Sequence, residues 1–323
     1  MKRLSLYVLC VSLTMAIGCN SMSAQTQRSR DIVRLTPALD EVVSADTKLE
    51  LLQGEGSFEG GEGPVWVQDG KSGYLLFSDT NGNQIFRWTP ACFKYPCPPD
   101  GKLSVFLEHS GYNDASRIGG KDSTGARLYG SNGLTLDQNG RLLMDATGDR
   151  AVERVEKDGT RTILADRYEG KRLTCPNDIV VKSDGAIYFT DGAAGCLPKR
   201  EDDPAKELPF HGVYLLKDGN LQLLDKDPGG FPPNGLAFSP DDKILYVNNG
   251  GPLPNQRQIF AYDVQSDDTV KNRRLFIDFT GESGLGGPDG MKVDRQGDVY
   301  STGAGGVWIV ASDGKRLGQR KTL

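Results

Sequence analysis

Histidine is nearly missing from this chain of 323 residues, which holds two. Imidazole-rich zinc or copper sites and most His-based acid–base chemistry are therefore hard to assemble. Positive charge is short as well: 38 Lys and Arg face 43 Asp and Glu, a formal net charge of −5. Such a balance leaves no cationic stripe to release counterions from a phosphate backbone, so nucleic acid is not an expected partner. No apolar run is long enough to cross a bilayer as a helix, and no stripe with helical period competes for the fold. A Gly-x-Ser-x-Gly elbow and EF-hand spacing are absent, and Gly303-Ala304-Gly305-Gly306 lies between strand patterns and opens no helix. What the chain has in excess is glycine, 41 residues or about 13% against roughly 7% in average proteins. With ordinary aliphatic content, that points to many tight turns between short strands.

The first residues read as an address. Met1-Lys2-Arg3 is basic, Leu4 to Ile17 is a nearly unbroken apolar run, and Ala16-Ile17-Gly18-Cys19 places small residues before a cysteine. This has the form of a secretory signal and resembles a bacterial lipobox. The expectation is a signal peptide over 1–18 with Cys19 lipidated, then a flexible tether over 19–31 and one folded domain over 32–323. Cleavage near Ser23-Ala24-Gln25 is the alternative. Either way the chain is expected to be exported, to the periplasm or to the outer membrane, with contact to the membrane only through a lipid anchor. Cys92, Cys97, Cys175 and Cys196 are then an even set in an oxidising compartment and are candidates for structural disulfides. Four cysteines allow three pairings, and the sequence leaves them open.

A repeat decides the architecture. Asn132-Gly133-Leu134, Asn177-Asp178-Ile179, Asn234-Gly235-Leu236 and Asp289-Gly290-Met291 each open a short apolar strand, and a turn follows seven residues after each opening residue. The turns are Asn139-Gly140, Asp184-Gly185, Asp241-Asp242 and Gln296-Gly297, and Glu62 has the same relation to Asp69-Gly70. A second strand follows each turn, and later strands are legible at Gln84–Trp88, Val152–Glu156, Gly212–Leu216, Ile259–Asp263 and Gly306–Val310. The intervals between openings run from 45 to 70 residues, which suits four-stranded propeller blades of roughly 40–50 residues with loop insertions. The fold class is all-β, a β-propeller. Trp66, Trp88 and Trp308 sit in strand patterns and are expected in the core.

In a propeller, residues at one repeat position converge on the axis at one height. Here they are Glu62, Asn132, Asn177, Asn234 and Asp289, all offering oxygen and none offering sulfur or imidazole. Such a ring suits a hard divalent cation, Ca²⁺ before Mg²⁺. Asn and Asp before a strand are also common turn residues that bond their own backbone. Glu62 fits that plainer reading least, and Asn132 is the weakest member.

At these residues the chain resembles the gluconolactonase family, which includes senescence marker protein and luciferin-regenerating enzyme. The motifs are Glu62-Gly63-Pro64-Val65-Trp66, Pro176-Asn177-Asp178, Pro233-Asn234-Gly235-Leu236 and Pro288-Asp289-Gly290-Met291, with Tyr188-Phe189-Thr190-Asp191 and Gly212-Val213-Tyr214 in support. The resemblance runs from about Leu51 to Gly318. It implies a calcium-dependent, six-bladed propeller that hydrolyses lactones. It implies metal ligation by Glu62, Asn177, Asn234 and Asp289, a proton-transfer role for Asp289, and Asn132 and Asp178 beside the substrate. Only eight residues follow Lys315, so a six-bladed-type ring with an incomplete last blade is expected, to which Ile32–Leu52 could add an outer strand.

The expected function is that of an exported Ca²⁺-dependent hydrolase opening a sugar-type lactone such as glucono-1,5-lactone, with Asp289 or Asp178 as the base. Two alternatives stand beside it: a non-catalytic, calcium-braced propeller that binds a protein or glycan, and a phosphotriesterase-like hydrolase. His109 and His211 are read as surface or packing residues.

Overall fold

The computed structural model describes residues 32–47, 58, 60–92, 101–112, 129–192, 195–250 and 257–321. Cys19, Cys97, the signal and tether segments and most of the polar loop after Tyr112 lie outside the described residues.

Local chemistry sets the repeat. The second turn residue of each opening hairpin has positive φ: Gly70, Gly140, Gly185, Asp242 and Gly297, at 58°, 72°, 96°, 58° and 91°. Left-handed backbone costs glycine nothing and aspartate little, which is why these residue types recur there. Carboxylates brace the same turns: Asp137 accepts from the N–H groups of Asn139 and Arg141, and Asp294 from those of Gln296 and Asp298.

Among the described residues this gives five antiparallel blades of four or five strands and one two-stranded hairpin. After strand β1 (Ile32–Arg34) and the one-turn helix α1 (Leu39–Val42), blade one comprises β2 (Gly61–Asp69), β3 (Ser72–Asp79), β4 (Gln84–Thr89) and β5 (Lys102–Glu108). Blade two holds β6 (Leu134–Leu136), β7 (Leu142–Ala146), β8 (Ala151–Val155) and β9 (Arg161–Ala165), followed by a small hairpin, β10 (Arg167–Tyr168) and β11 (Lys171–Arg172). Blade three holds β12 (Pro176–Val181), β13 (Ile187–Asp191), β14 (Gly212–Lys217) and β15 (Asn220–Lys226). Blade four holds β16 (Leu236–Phe238), β17 (Ile244–Asn248), β18 (Gln258–Val264) and β19 (Val270–Asp278). Blade five holds β20 (Met291–Val293), β21 (Val299–Gly303), β22 (Gly306–Val310) and β23 (Arg316–Lys321). The innermost strands β2, β6, β12, β16 and β20 pack against one another in that succession.

The core sits between blades. Leu143, Val152 and Ile179 pack with Phe189 and Tyr214 at the junction of blades two and three. Tyr188, Val213, Leu236 and Val247 fill the next junction, and Tyr246, Ile259, Met291 and Trp308 the one after it.

The all-β propeller expectation is met, but the blade count is not. The described residues form five blades, and the last is complete, where a six-bladed type with an incomplete last blade was expected. The strands of blade five are three to six residues long and their connections are tight, so four of them fit between Met291 and Lys321. Of the Ile32–Leu52 segment, β1 pairs with the outer edge of β23 as a fifth strand. Helix α1 then lays Leu39 against Ile309 and Leu317 on the same blade. Trp88 and Trp308 are buried as expected, but Trp66 is 45% exposed and is not a core residue. The face of blade one that bears it packs on no neighbouring sheet among the described residues; its apolar cluster is completed only by Phe58.

Candidate active site

Two opening residues, Glu62 and Asn177, are aimed by a local irregularity. The pairing of β2 with β3 shifts register between Glu62 and Val65, and that of β12 with β13 shifts between Pro176 and Ile179. A bulge of this kind turns a side chain away from the sheet's alternation, here toward the axis. Gly63, at φ 55°, lies so close to the Asn132 carbonyl that a Cβ would overlap it. Gly133 and Gly235 follow their opening residues under the same constraint, each against the next innermost strand or its opening residue, whereas Gly290 has open space where a Cβ would be. Blade three has Asp178 in that slot instead, and its carboxylate reaches across to accept from the N–H of Leu236 in blade four at 3.1 Å.

The second strands hold the ring from behind. Ser78 Oγ donates to the Asn132 carbonyl (2.8 Å), Thr190 Oγ1 to that of Asn234 (2.7 Å) and Asn248 Nδ2 to that of Asp289 (2.6 Å). Thr190 Oγ1 also accepts from the N–H of Asp178 at 3.1 Å. Asp145 occupies the corresponding place in blade two. It is fully buried, and neither carboxylate oxygen has a hydrogen-bond partner among the described residues; the Asn177 carbonyl is taken instead by the N–H of Gly133 at 2.7 Å.

The structure brings all six predicted polar side chains to one place. Glu62, Asn132, Asn177, Asp178, Asn234 and Asp289 line a single axial cavity of about 450 Å³, together with Lys292, Tyr300, Thr302 and Val307 of blade five. A concavity of about 500 Å³ at the outer rim, around Arg141, Glu156 and Lys157, is an open surface crossed by ion pairs and gathers no such donors.

The electrostatics of the axial cavity are those of crowded carboxylates. Burial, and then the charges of Asp289 and Asp178, push the Glu62 carboxyl up to about 8. Asp289 is raised by burial and by Asp178, and an Asn234 amide hydrogen bond works against the shift. Burial raises Asp178 too, opposed by Lys292 and by the N–H groups of Leu236 and Ile179. Behind them burial raises Asp145 well above the usual carboxylate range, with further contributions from Asp178 and Asp191. A divalent cation among Glu62, Asp289, Asn177 and Asn234 would relieve this repulsion, and an all-oxygen set is what a hard cation requires. Among the described residues no three Asp, Glu, His or Cys side chains cluster closely enough to hold an ion by themselves. The amide oxygens are therefore needed to complete a site, and the residues present fit such an ion.

Two participants escape motif reading. Lys292 follows Met291, and strand alternation alone turns it from the blade-four core toward the cavity; β20 sets it opposite Tyr300. Asp145 gives no sequence signal, because its importance comes from its lack of partners. His211 is buried, with Nε2 2.9 Å from a Glu201 carboxylate oxygen, and does not line the axial cavity. Of the candidate disulfides, Cys175–Cys196 is formed. Cys92 is also disulfide-bonded, to a partner outside the described residues.

The profile of the SMP-30/Gluconolactonase/LRE-like region matches residues 60–322. The chain belongs to that family. A gluconolactonase of Zymomonas mobilis is 36% identical to this SMP-30/gluconolactonase-like chain over 294 residues, 89% of this chain and 76% of that protein. A pentonolactonase of Haloferax volcanii is 27% identical over 265 residues, 80% of this chain and 72% of that one. Among solved structures, a gluconolactonase from Xanthomonas campestris superposes with a TM-score of 0.70 at 32% identity, covering 90% of this chain and 84% of that one.

Proposed function

We propose that this chain is a divalent-cation-dependent lactone hydrolase, with Ca²⁺ as the ion and a sugar-type lactone such as glucono-1,5-lactone as the substrate. The observation that carries the reading is the convergence of Glu62, Asn177, Asn234, Asp289, Asn132 and Asp178 on one axial cavity in a member of this family.

Glu62, Asn177, Asn234 and Asp289 would hold the cation, which supplies Lewis-acid polarisation of the lactone carbonyl. The remaining work falls to side chains. Asp178 has both carboxylate oxygens committed to backbone N–H groups, of Ile179 at 3.0 Å and Leu236 at 3.1 Å, so it positions and charges the cavity floor. Asp289 is left as the proton acceptor for the attacking water and the donor to the departing ring oxygen. The products balance: one water adds across the acyl C–O bond, giving the hydroxy acid. Asn132 contributes an amide to the substrate hydroxyls, and the Lys292 ammonium faces the carboxylate that forms. Export to an oxidising compartment belongs to the same proposal, supported by the Cys175–Cys196 bond.

The test is pH-stat titration of acid release from glucono-1,5-lactone and, separately, from an aryl phosphotriester, with Ca²⁺ present. Release from the lactone above the spontaneous rate and none from the phosphotriester supports the proposal. The reverse preference would replace it with a phosphotriesterase, and inertness toward both would leave a cation-braced binding propeller.

A further inference from the structure

Blade one has two unlike faces. On one, Val65, Tyr74, Leu76 and Ile85 pack with Leu134 and Met144 of blade two. On the other, Trp66 stands opposite Leu75, Leu75 opposite Trp88, and Phe77 opposite Phe86. Phe58 joins that face edge-on to Phe77, with ring centroids 5.0 Å apart. Between Phe58, Leu75, Phe77 and Trp88 lies a second cavity of about 280 Å³. Gly61, Glu62 and Pro64 belong to its wall and to the wall of the axial cavity alike, so the two adjoin along this segment of β2. The facing side of the axial cavity is built by Tyr300, Thr302 and Val307 of blade five. A Cβ added to Gly290 there would meet nothing within 4 Å, whereas at Gly63 and Gly133 it would strike the next innermost strand. Among the described residues the site is thus enclosed by blades two to four and open between blades five and one, where its walls turn apolar.

We propose that the Phe58–Leu75–Phe77–Trp88 cavity is a second subsite of the same centre, which receives the alkyl or aryl substituent of a lactone while the ring ester sits at Asp289. The inference rests on the lactonase reading and deepens it by naming a substrate class, lactones with an apolar side chain. Sugar hydroxyls entering this cavity would find few acceptors or donors on its aromatic and aliphatic walls and would lose their water partners. A hydrocarbon chain loses nothing there and gains from leaving water.

The experiment uses the full chain with Ca²⁺ and a series of δ-lactones whose 5-alkyl group grows from methyl to pentyl, with glucono-1,5-lactone alongside. KM is expected to fall with each added methylene, up to about fourfold per step, which is the ~0.8 kcal/mol transfer value for a buried CH₂, while kcat stays level. Leu75→Gln should raise KM for the pentyl lactone at least tenfold more than it raises that for the methyl lactone. A KM independent of chain length, with glucono-1,5-lactone still hydrolysed, overturns the subsite alone. Inertness toward every lactone overturns the lactonase reading and the subsite with it. If Leu75→Gln instead converts a sedimenting dimer to a monomer without altering KM, the face is a contact between copies and the subsite is wrong. Should that variant fail to fold, the chain-length series on the unaltered protein decides.

Discussion

Glu62 carries the clearest conflict at the scale of single residues. It is a carboxylate placed by a bulge among two others, and burial lifts its pKa from 4.5 to about 8. Below about pH 4.5 the carboxyl is protonated whether the chain is folded or not, and it costs the fold nothing. As pH rises toward 8 the unfolded chain releases the proton while the folded one retains it, so stability is lost through this window. The cation-free protein should therefore melt at progressively lower temperature between pH 5 and pH 9. Ca²⁺ should restore most of the loss at pH 9, because the ion binds the folded chain and compensates the buried carboxylate charge left there once the proton has gone, and Glu62→Gln should flatten the dependence. Calorimetric melts of both proteins across that range check this, and an equally steep slope in the variant would remove Glu62 as the cause. Asp289→Asn keeps an oxygen ligand and removes the proton acceptor, so turnover should fall about 100-fold or more with Ca²⁺ still bound by calorimetry. Unchanged turnover in that variant would transfer the base to another group.

Between elements, the hydroxyl of Thr190 ties β12 to the next blade. It accepts from Asp178 and donates to the Asn234 carbonyl, so Thr190→Val leaves a buried donor and acceptor unpaired, at a cost of roughly 1–3 kcal/mol. Urea unfolding should show this loss, and the Ca²⁺ affinity should weaken with it because Asn234 is no longer held. The Cys175–Cys196 bond closes a loop of 21 residues in sequence separation and anchors the chain immediately before Asn177. Replacing both cysteines by serine should cost about 3 kcal/mol, the usual value for a loop of that order, read as a shift in the same unfolding curve.

The openings, turns and second strands were legible in the sequence because each rests on local chemistry. Asn or Asp precedes the strand, Gly or Asp takes the left-handed turn position, and apolar residues alternate. The convergence of Glu62, Asn177, Asn234 and Asp289 followed from placing equivalent positions on one axis. What could not be read depends on neighbours distant in sequence. Asp178 fills a glycine slot and bonds a strand 58 residues away, Asp145 is known only by the partners it lacks among the described residues, and Trp66 sits on a face that no sheet of the described residues covers. The pairing of β1 with β23 joins Ile32 to Arg320, a contact that no local pattern announces.

At the scale of the molecule, the five blades formed by the described residues set the opening residues around one axial cavity. The ring gathers two carboxylates that repel each other and two amides, and in the proposed mechanism a cation joining them is the condition of catalysis. The most direct test is to strip the full chain with a chelator and titrate Ca²⁺ back, following heat of binding and glucono-1,5-lactone hydrolysis on the same preparation. The expected result is saturable binding at one site, with hydrolysis absent in the stripped protein and rising in proportion to occupancy. Undiminished hydrolysis by the stripped protein, or Ca²⁺ binding that leaves the rate at the spontaneous level, would contradict the account.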